Sequence, residues 1–288
     1  MIVRVDAEDD PRLEDFRDVR DAARHAGGHF LAEGLLLLEA LVAHRARHPI
    51  RAVLASERMA ERAAALVAPA PEVTLFVAPT ALVESLVGFP MHRGVLASAL
   101  RPTPREAAPI LTAARTVIVL EGLCNADNVG GIFRTAAALG ADALLLDEAS
   151  CDPLYRKALR VSMGAVLALP WARVPSAAAA LTGLGAAGFC TVALSPGGHA
   201  DLRELPPPER LALALGTEGP GLSAAALAAC TVRAAIPMRA GIDSLNVTTA
   251  AAVALWALAR PAPIVFGGSE APPASASPRL GLPPHRRR

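Results

Sequence analysis

Lysine is almost absent from this chain. Lys157 is the only one, so nearly all positive charge is arginine. Alanine is in excess as well, and the arginine content reads as compositional drift rather than as a nucleic-acid signature. The formal net charge is only +1, whereas nucleic-acid-binding domains are often strongly basic. Any basic surface must therefore be local. The cysteines are four and far apart (Cys124, Cys151, Cys190, Cys230), with no C-x-x-C pair and no histidine at metal-ligand spacing. That pattern points away from a zinc site or a disulfide framework, and toward reduced thiols in a cytoplasmic protein. No apolar run is long. The most apolar helical stretch, Val247 to Ala259, falls short of the roughly 20 residues a bilayer needs. The opening Met1-Ile-Val-Arg-Val-Asp leads into acidic residues, so no signal peptide is expected. A soluble chain follows, without membrane contact and without a bound metal.

What the chain has is length and apolar mass. Its 288 residues suggest two domains, and 53% apolar residues can fill sizeable cores. Residues 1–100 read as a small α/β unit. Its candidate helices are Pro11 to Ala26, Leu35 to Val42, Glu57 to Val67 and Thr80 to Val87. Its candidate strands are Ile50 to Leu54, Val73 to Val77 and Arg93 to Ser98. A Pro-rich linker covers 101–113. In 114–262 strands alternate with helices, the pattern of a parallel sheet covered on both faces. The strands expected there are Thr116 to Leu120, Ala143 to Leu146, Ala165 to Pro170, Cys190 to Leu194, Leu211 to Leu215 and Thr231 to Ile236. The helices are Val129 to Leu139, Tyr155 to Met163, Ala177 to Ala187 and Leu245 to Ala259. The rest, 263–288, is rich in Pro, Gly, Ser and Ala and is expected to be disordered. Its end, Arg286-Arg-Arg288, reads as a solvated tail.

Three blocks carry the chemistry. The first, Asn125-Ala-Asp-Asn128-Val-Gly130-Gly131-Ile-Phe-Arg134, leads from a strand into a helix. Asn128 is expected near the N-cap, and the glycines allow another backbone to come close. Arg134 is expected about one turn in, as a buried arginine suited to a phosphate or a developing oxyanion. A capping Asn and a surface Arg would explain the same residues. The second, Leu215-Gly216-Thr217-Glu218-Gly219-Pro220-Gly221, follows a strand directly, where open α/β sheets bind ligands. It is neither G-x-G-x-x-G nor a Walker loop, which lowers the case for a dinucleotide or ATP. Glu218 among glycines is hard to explain as packing. The third, Ile236-Pro-Met238-Arg-Ala-Gly-Ile-Asp-Ser244-Leu245-Asn246-Val-Thr-Thr, ends at the start of an alanine-faced helix. Ser244 and Asn246 there serve equally well as plain caps.

Together, N-x-G-x-x-x-R, G-T-E-G-x-G and I-P-M…S-L-N-V-T resemble the SpoU (TrmH-type) RNA ribose methyltransferases of the SPOUT superfamily, over about Thr116 to Arg260. The resemblance implies a parallel sheet whose C-terminal part is tied in a deep trefoil knot. It implies a homodimer, with S-adenosylmethionine held in the knot by Leu215, Gly216, Glu218, Ile236, Met238 and Leu245. Asn128, Arg134, Glu218, Ser244 and Asn246 match the polar active-site positions. Phe30-Leu-Ala-Glu33-Gly34 and Met91-His92-Arg93-Gly94-Val95 resemble the ribosomal-protein-like, substrate-binding α/β domain of many members. The family usually has Gln where this chain has Arg93.

The resemblance implies methyl transfer from S-adenosylmethionine to a ribose 2′-hydroxyl of RNA. A guanidinium, with a pKa above about 12, is an awkward base. Arg134 is therefore read as a charge that steadies the forming alkoxide and grips the adjacent phosphate. Asn128 and Ser244 would orient ribose and phosphate, while Asn246 and Glu218 fix the loops. The N-terminal domain favours ribosomal RNA over tRNA, because minimal tRNA enzymes lack it. A tRNA methyltransferase, an antibiotic-resistance methylase of ribosomal RNA and a catalytically inactive RNA-binding protein are the alternatives. A nucleotide-dependent oxidoreductase lacks the required glycine fingerprint.

Overall fold

The computed structural model describes residues 1–17, 28–88, 91, 93–240 and 244–259. The chain forms two compact units. Among the described residues, one holds Met1–Thr103 together with Leu154–Ala168, and the other holds Pro104–Pro153 and 169–259. Residues 154–168, which the sequence pattern groups with the second domain, thus pack with the first.

In the first unit, β1 (Ile2–Arg4), β2 (His29–Glu33), α1 (Leu35–Ala43), β3 (Ile50–Ser56), α2 (Ala60–Val67), β4 (Thr74–Ala78), α3 (Thr80–Val87) and β5 (Val95–Leu100) follow in order. The sheet runs β1-β4-β3-β5-β2, with β5 antiparallel to both of its neighbours. The helix expected from Pro11 to Ala26 is corrected in its described part. Pro11–Phe16 is a 3-10 helix, and Arg17 returns to extended backbone. Leu13 and Phe16 are fully buried. Asp15 latches the turn to the sheet, accepting from Ser98 Oγ at 2.6 Å and Arg51 Nε at 2.7 Å. Residues 18–26 of that expected helix lie outside the described residues, as does His92.

The second unit opens with α4 (Ala107–Leu111), a short helix inside the expected linker. It continues with β6 (Thr116–Leu120), α5 (Ala126–Ala138) and β7 (Ala143–Asp147). The chain then lends α6 (Arg156–Val161) and α7 (Ala165–Ala168) to the first unit. It returns as β8 (Trp171–Val174), α8 (Ala177–Ala186), β9 (Cys190–Leu194), β10 (Ala200–Asp201), β11 (Leu211–Leu215), α9 (Ala224–Ala229), β12 (Val232–Ala235) and α10 (Val247–Leu258). The strand expected at Ala165 to Pro170 is therefore wrong: Ala165–Ala168 is a turn of helix and β8 follows it. A short, uniformly apolar run such as Ala-Val-Leu-Ala-Leu has no periodicity to separate buried helix from buried strand. The tail expected at 263–288 lies outside the described residues.

The seven-stranded sheet of this unit runs β10-β12-β9-β11-β6-β7-β8, every pair parallel. Its centre explains its sequence. β6 (Thr-Val-Ile-Val-Leu) and β11 (Leu-Ala-Leu-Ala-Leu) are buried at every position, as a strand covered on both faces must be. Val117, Val119, Ala212 and Ala214 join one cluster with Leu181 and Leu184 of α8 and Ala226 of α9. The alanines on that face leave room for the helices. Burying each leucine or isoleucine of such a core contributes about 1.5–3 kcal/mol. No helix among the described residues is long and apolar enough to cross a membrane.

Candidate active site

The three sequence blocks meet at the C-terminal ends of β6, β11 and β12. α5 begins three residues earlier than the sequence pattern suggests. Its cap is Asn125, whose side chain accepts from the Asp127 N–H at 2.9 Å. Asn128 is therefore not the cap but the third helical residue, and it is buried. Its Nδ2 donates to Glu218 Oε1 at 2.7 Å. Its Oδ1 accepts from Asn246 Nδ2 at 3.0 Å, and that same nitrogen lies 3.3 Å from Glu218 Oε1. Asn246 is also the cap of α10, through an Oδ1 that accepts from the Thr248 N–H at 2.9 Å. Each end of the Asn246 amide thus has a task. The oxygen starts the helix, and the nitrogen ties the third block to the first two.

The close approach of α5 and α10 depends on a glycine. A Cβ at Gly131 would lie 2.8 Å from Thr248 Cγ2 and 2.9 Å from its Oγ1. The β11 loop is tighter. A Cβ at Gly216 would lie 2.3 Å from Gly221 C and Leu222 N, and 2.5 Å from Gly221 O. The loop folds back on itself there, closed by the Gly221 N–H donating to the Thr217 carbonyl at 3.1 Å. Gly219 (φ 86°) and Gly221 (φ 74°) turn it through left-handed backbone.

This loop walls a cavity of about 410 Å³, within the usual range for ligand pockets. Leu215, Gly216, Glu218, Ile236, Met238, Ser244 and Leu245 all line it, as do Leu194, Ser195 and Pro196. Every residue expected to hold a cofactor comes together here, with four of the five expected polar residues on or beside the wall: Glu218, Ser244 and Asn246 line it, and Asn128 bonds to two of them. The sequence reading missed Leu194-Ser195-Pro196. Leu194 ends β9 and the other two follow it, and β9 pairs with β11 on one side and β12 on the other. An assignment of strand order would have found them, since ligands sit at the C-terminal edge of such sheets. Among the described residues, no group of three His, Cys, Asp or Glu side chains is placed to hold a metal ion.

Arg134 does not join the cluster. It is the ninth residue of α5, more than two turns in rather than one, and it is exposed rather than buried. The reason is helical geometry: a residue six positions on from Asn128 faces well away from it. Ser244 is exposed at the cavity's rim.

A parallel α/β unit with a glycine-walled cavity at its strand ends, flanked by an amide–carboxylate network, has the architecture of a small-molecule-binding domain. The SpoU rRNA Methylase family profile matches residues 115–256, which contain all three blocks. An uncharacterized tRNA/rRNA methyltransferase of Mycobacterium tuberculosis (strain ATCC 25618 / H37Rv) is 40% identical over 262 residues, covering 86% of this chain and 88% of its own. Among solved structures, an AdoMet-bound rRNA methyltransferase from Sinorhizobium meliloti superposes with a TM-score of 0.76 at 25% identity, covering 89% of this chain and 97% of its own. An RNA 2′-O ribose methyltransferase superposes at 0.73 and 26%, covering 88% and 97%. The chain belongs to the SpoU family of RNA methyltransferases.

Proposed function

We propose that this protein transfers a methyl group from S-adenosylmethionine to a ribose 2′-hydroxyl of ribosomal RNA. The observation that carries the reading is the single network joining Asn128, Glu218 and Asn246 beside the cavity. Plain caps and turn residues have no reason to converge there from three separate blocks. The cavity suits the cofactor. Leu215, Ile236, Met238 and Leu245 offer apolar walls for the adenine, and the loop that a Cβ at Gly216 would fill exposes backbone donors and acceptors. Bound there, the cofactor supplies an electrophilic methyl group on a sulfonium.

The chain's own residues do the rest. Asn128 and Ser244 orient the ribose and its phosphate. Glu218 and Asn246 lock the β11 loop against α5 and α10. Arg134 steadies the negative charge on the 2′-oxygen and grips the adjacent phosphate with its fixed fork of donors. Its exposure suits a guanidinium that works at a partner subunit's cavity, so the active form is read as a homodimer. The apolar patch on α10 supports this: Trp256 is 77% exposed and Val253, one turn away, 38%. We further read the C-terminal part of the second unit as a trefoil knot, as the likeness to the SpoU family implies. The four free cysteines suit a reducing cytoplasm. Ribosomal RNA is favoured over tRNA by the extra N-terminal unit and by the near full-length match to an rRNA methyltransferase.

Mapping of 2′-O-methyl positions in ribosomal RNA and tRNA, with and without the gene, tests the reading. One ribosomal RNA position is expected to lose its methyl group. A lost site in tRNA, or a base methylation in its place, overturns the corresponding part. Sedimentation of the purified protein tests the dimer.

A further inference from the structure

The excursion of residues 154–168 into the first unit is anchored at both ends. At its start, Arg156 Nη1 donates to Glu33 Oε2 at 3.1 Å, and the Glu33 side chain is only 8% exposed. At its end, Arg47 Nη1 donates to the Ala168 carbonyl at 3.3 Å. Between them, Ala158 and Leu159 are fully buried, and Gly164 (φ 89°) sits so close to α1 that a Cβ would lie 3.0 Å from that of Ala40. A six-residue helix does not hold itself together in water. This one is held by its neighbours, and α6 is a fixed element of the first unit.

The face that α6 turns outward is cationic. Lys157 and Arg160 are both exposed. They stand three residues apart, the spacing that puts side chains next to each other on a helix. Arg93 is exposed nearby on the same unit. Its side chain lies across Gly34, where a Cβ would be 3.1 Å from Arg93 Cδ, and Gly34 directly follows Glu33. Arg156 is engaged by the buried Glu33, while Lys157 and Arg160 stand on the exposed side of α6 and Arg93 lies across Gly34, the next residue in the chain. Three exposed cations on rigid supports suit a polyanion whose charges recur at short intervals, which describes an RNA backbone.

We propose that α6 and Arg93 form a contact surface for the phosphates of the substrate RNA, with Lys157 and Arg160 at its centre. The proposal rests on the RNA-methyltransferase reading above. These side chains act on RNA affinity, not on the methyl-transfer step.

Because Lys157 is the chain's only lysine, it can be footprinted. Acetylation of the full-length protein, read by peptide mass spectrometry, labels Lys157 and the Met1 amine. Purified ribosomal RNA is expected to protect Lys157 and to leave Met1 labelled as without RNA. In parallel, Lys157→Ala/Arg160→Ala should raise the KM for ribosomal RNA at least tenfold. It should also lower the slope of log affinity against log salt by about 1.4, from two lost contacts at about 0.7 each on single strands. Cofactor affinity and kcat at saturating RNA should hold. Lys157→Arg should keep the wild-type KM. Equal acetylation of Lys157 with and without saturating RNA overturns the proposal, as does a double variant with an unchanged salt slope. A chain that binds RNA with Lys157 protected yet methylates no ribose refutes the reaction and leaves this surface standing.

Discussion

Gly216→Ala asks whether the β11 loop holds the cofactor by its backbone. The new Cβ would begin 2.3 Å from Gly221 C and Leu222 N, and ordinary contact begins at 3.4 Å. One strand of the loop must move by 3.4 − 2.3 = 1.1 Å relative to the other. The obstructing atoms are backbone, so no side chain can rotate aside. Overpacking of this kind costs about 1–3 kcal/mol of stability. A displacement of that size also spoils the backbone hydrogen bonds the loop would offer a ligand. Two such bonds at about 1–1.5 kcal/mol each come to roughly 3 kcal/mol, or about two decades of affinity. Calorimetric titration with S-adenosylmethionine should therefore show a dissociation constant about 100-fold weaker. Gly219→Ala is the control. It lies on the same loop at φ 86°, yet an added Cβ meets nothing within 4 Å. It should suffer only the left-handed backbone cost of about 1–2 kcal/mol, as lost stability. If Gly216→Ala binds the cofactor as wild type does, or if Gly219→Ala is the worse of the two, the wedge argument fails.

Asn246→Ser keeps an oxygen to cap α10 but loses the Nδ2 donor. Thermal unfolding should stay near wild type while methyl transfer drops at least tenfold. Asn246→Ala should lose a further cap worth about 1 kcal/mol. Arg134→Ala should lower kcat by roughly 100-fold or more, as removal of an oxyanion donor does, with cofactor binding retained in calorimetry. Near-normal turnover removes Arg134 from the chemistry. Burial pushes the Asp15 carboxyl up, but the hydrogen bonds from Ser98 and Arg51 outweigh it and hold it below the usual range. A depressed folded value stabilises fully above the unfolded value of about 3.9 and is lost as pH falls through the folded one. Urea unfolding of Asp15→Asn should accordingly show a deficit of about 1–2 kcal/mol at neutral pH that closes in acid. Burial raises the Cys230 thiol to about 11 and that of Cys151 upward as well, whereas Cys124 is exposed. Iodoacetamide at pH 8 should label Cys124 first and Cys230 last by peptide mapping.

Much of the fold could be read from the chain, and the failures have physical causes. Thr80–Val87 and Leu211–Leu215 fall where patterning puts them, because each has a sharp boundary: Pro79 and Gly88 for the helix, a following glycine loop for the strand. Ala165–Ala168 does not, since an apolar run buried on all sides carries no period. That α6 and α7 belong to the first unit could not be read at all. Affiliation there depends on Glu33 and Arg47, more than a hundred positions away in sequence.

The site was legible in residue types and opaque in geometry. Asn246 shows why. Read as a helix cap or as a site residue, the two interpretations compete only while the amide is treated as one group. An asparagine has an acceptor and a donor at opposite corners. α10 needs only the acceptor, from Oδ1 to the Thr248 N–H, so Nδ2 is left to reach Asn128 and Glu218 without weakening the helix. Aspartate or serine would cap α10 as well, but neither offers a second group that both donates and stands clear of the cap. Asparagine at this position is therefore evidence for the network rather than for the cap. Arg134 runs the other way: its residue type suited the chemistry, but its position, facing away from Asn128 on the same helix, keeps it out of the network.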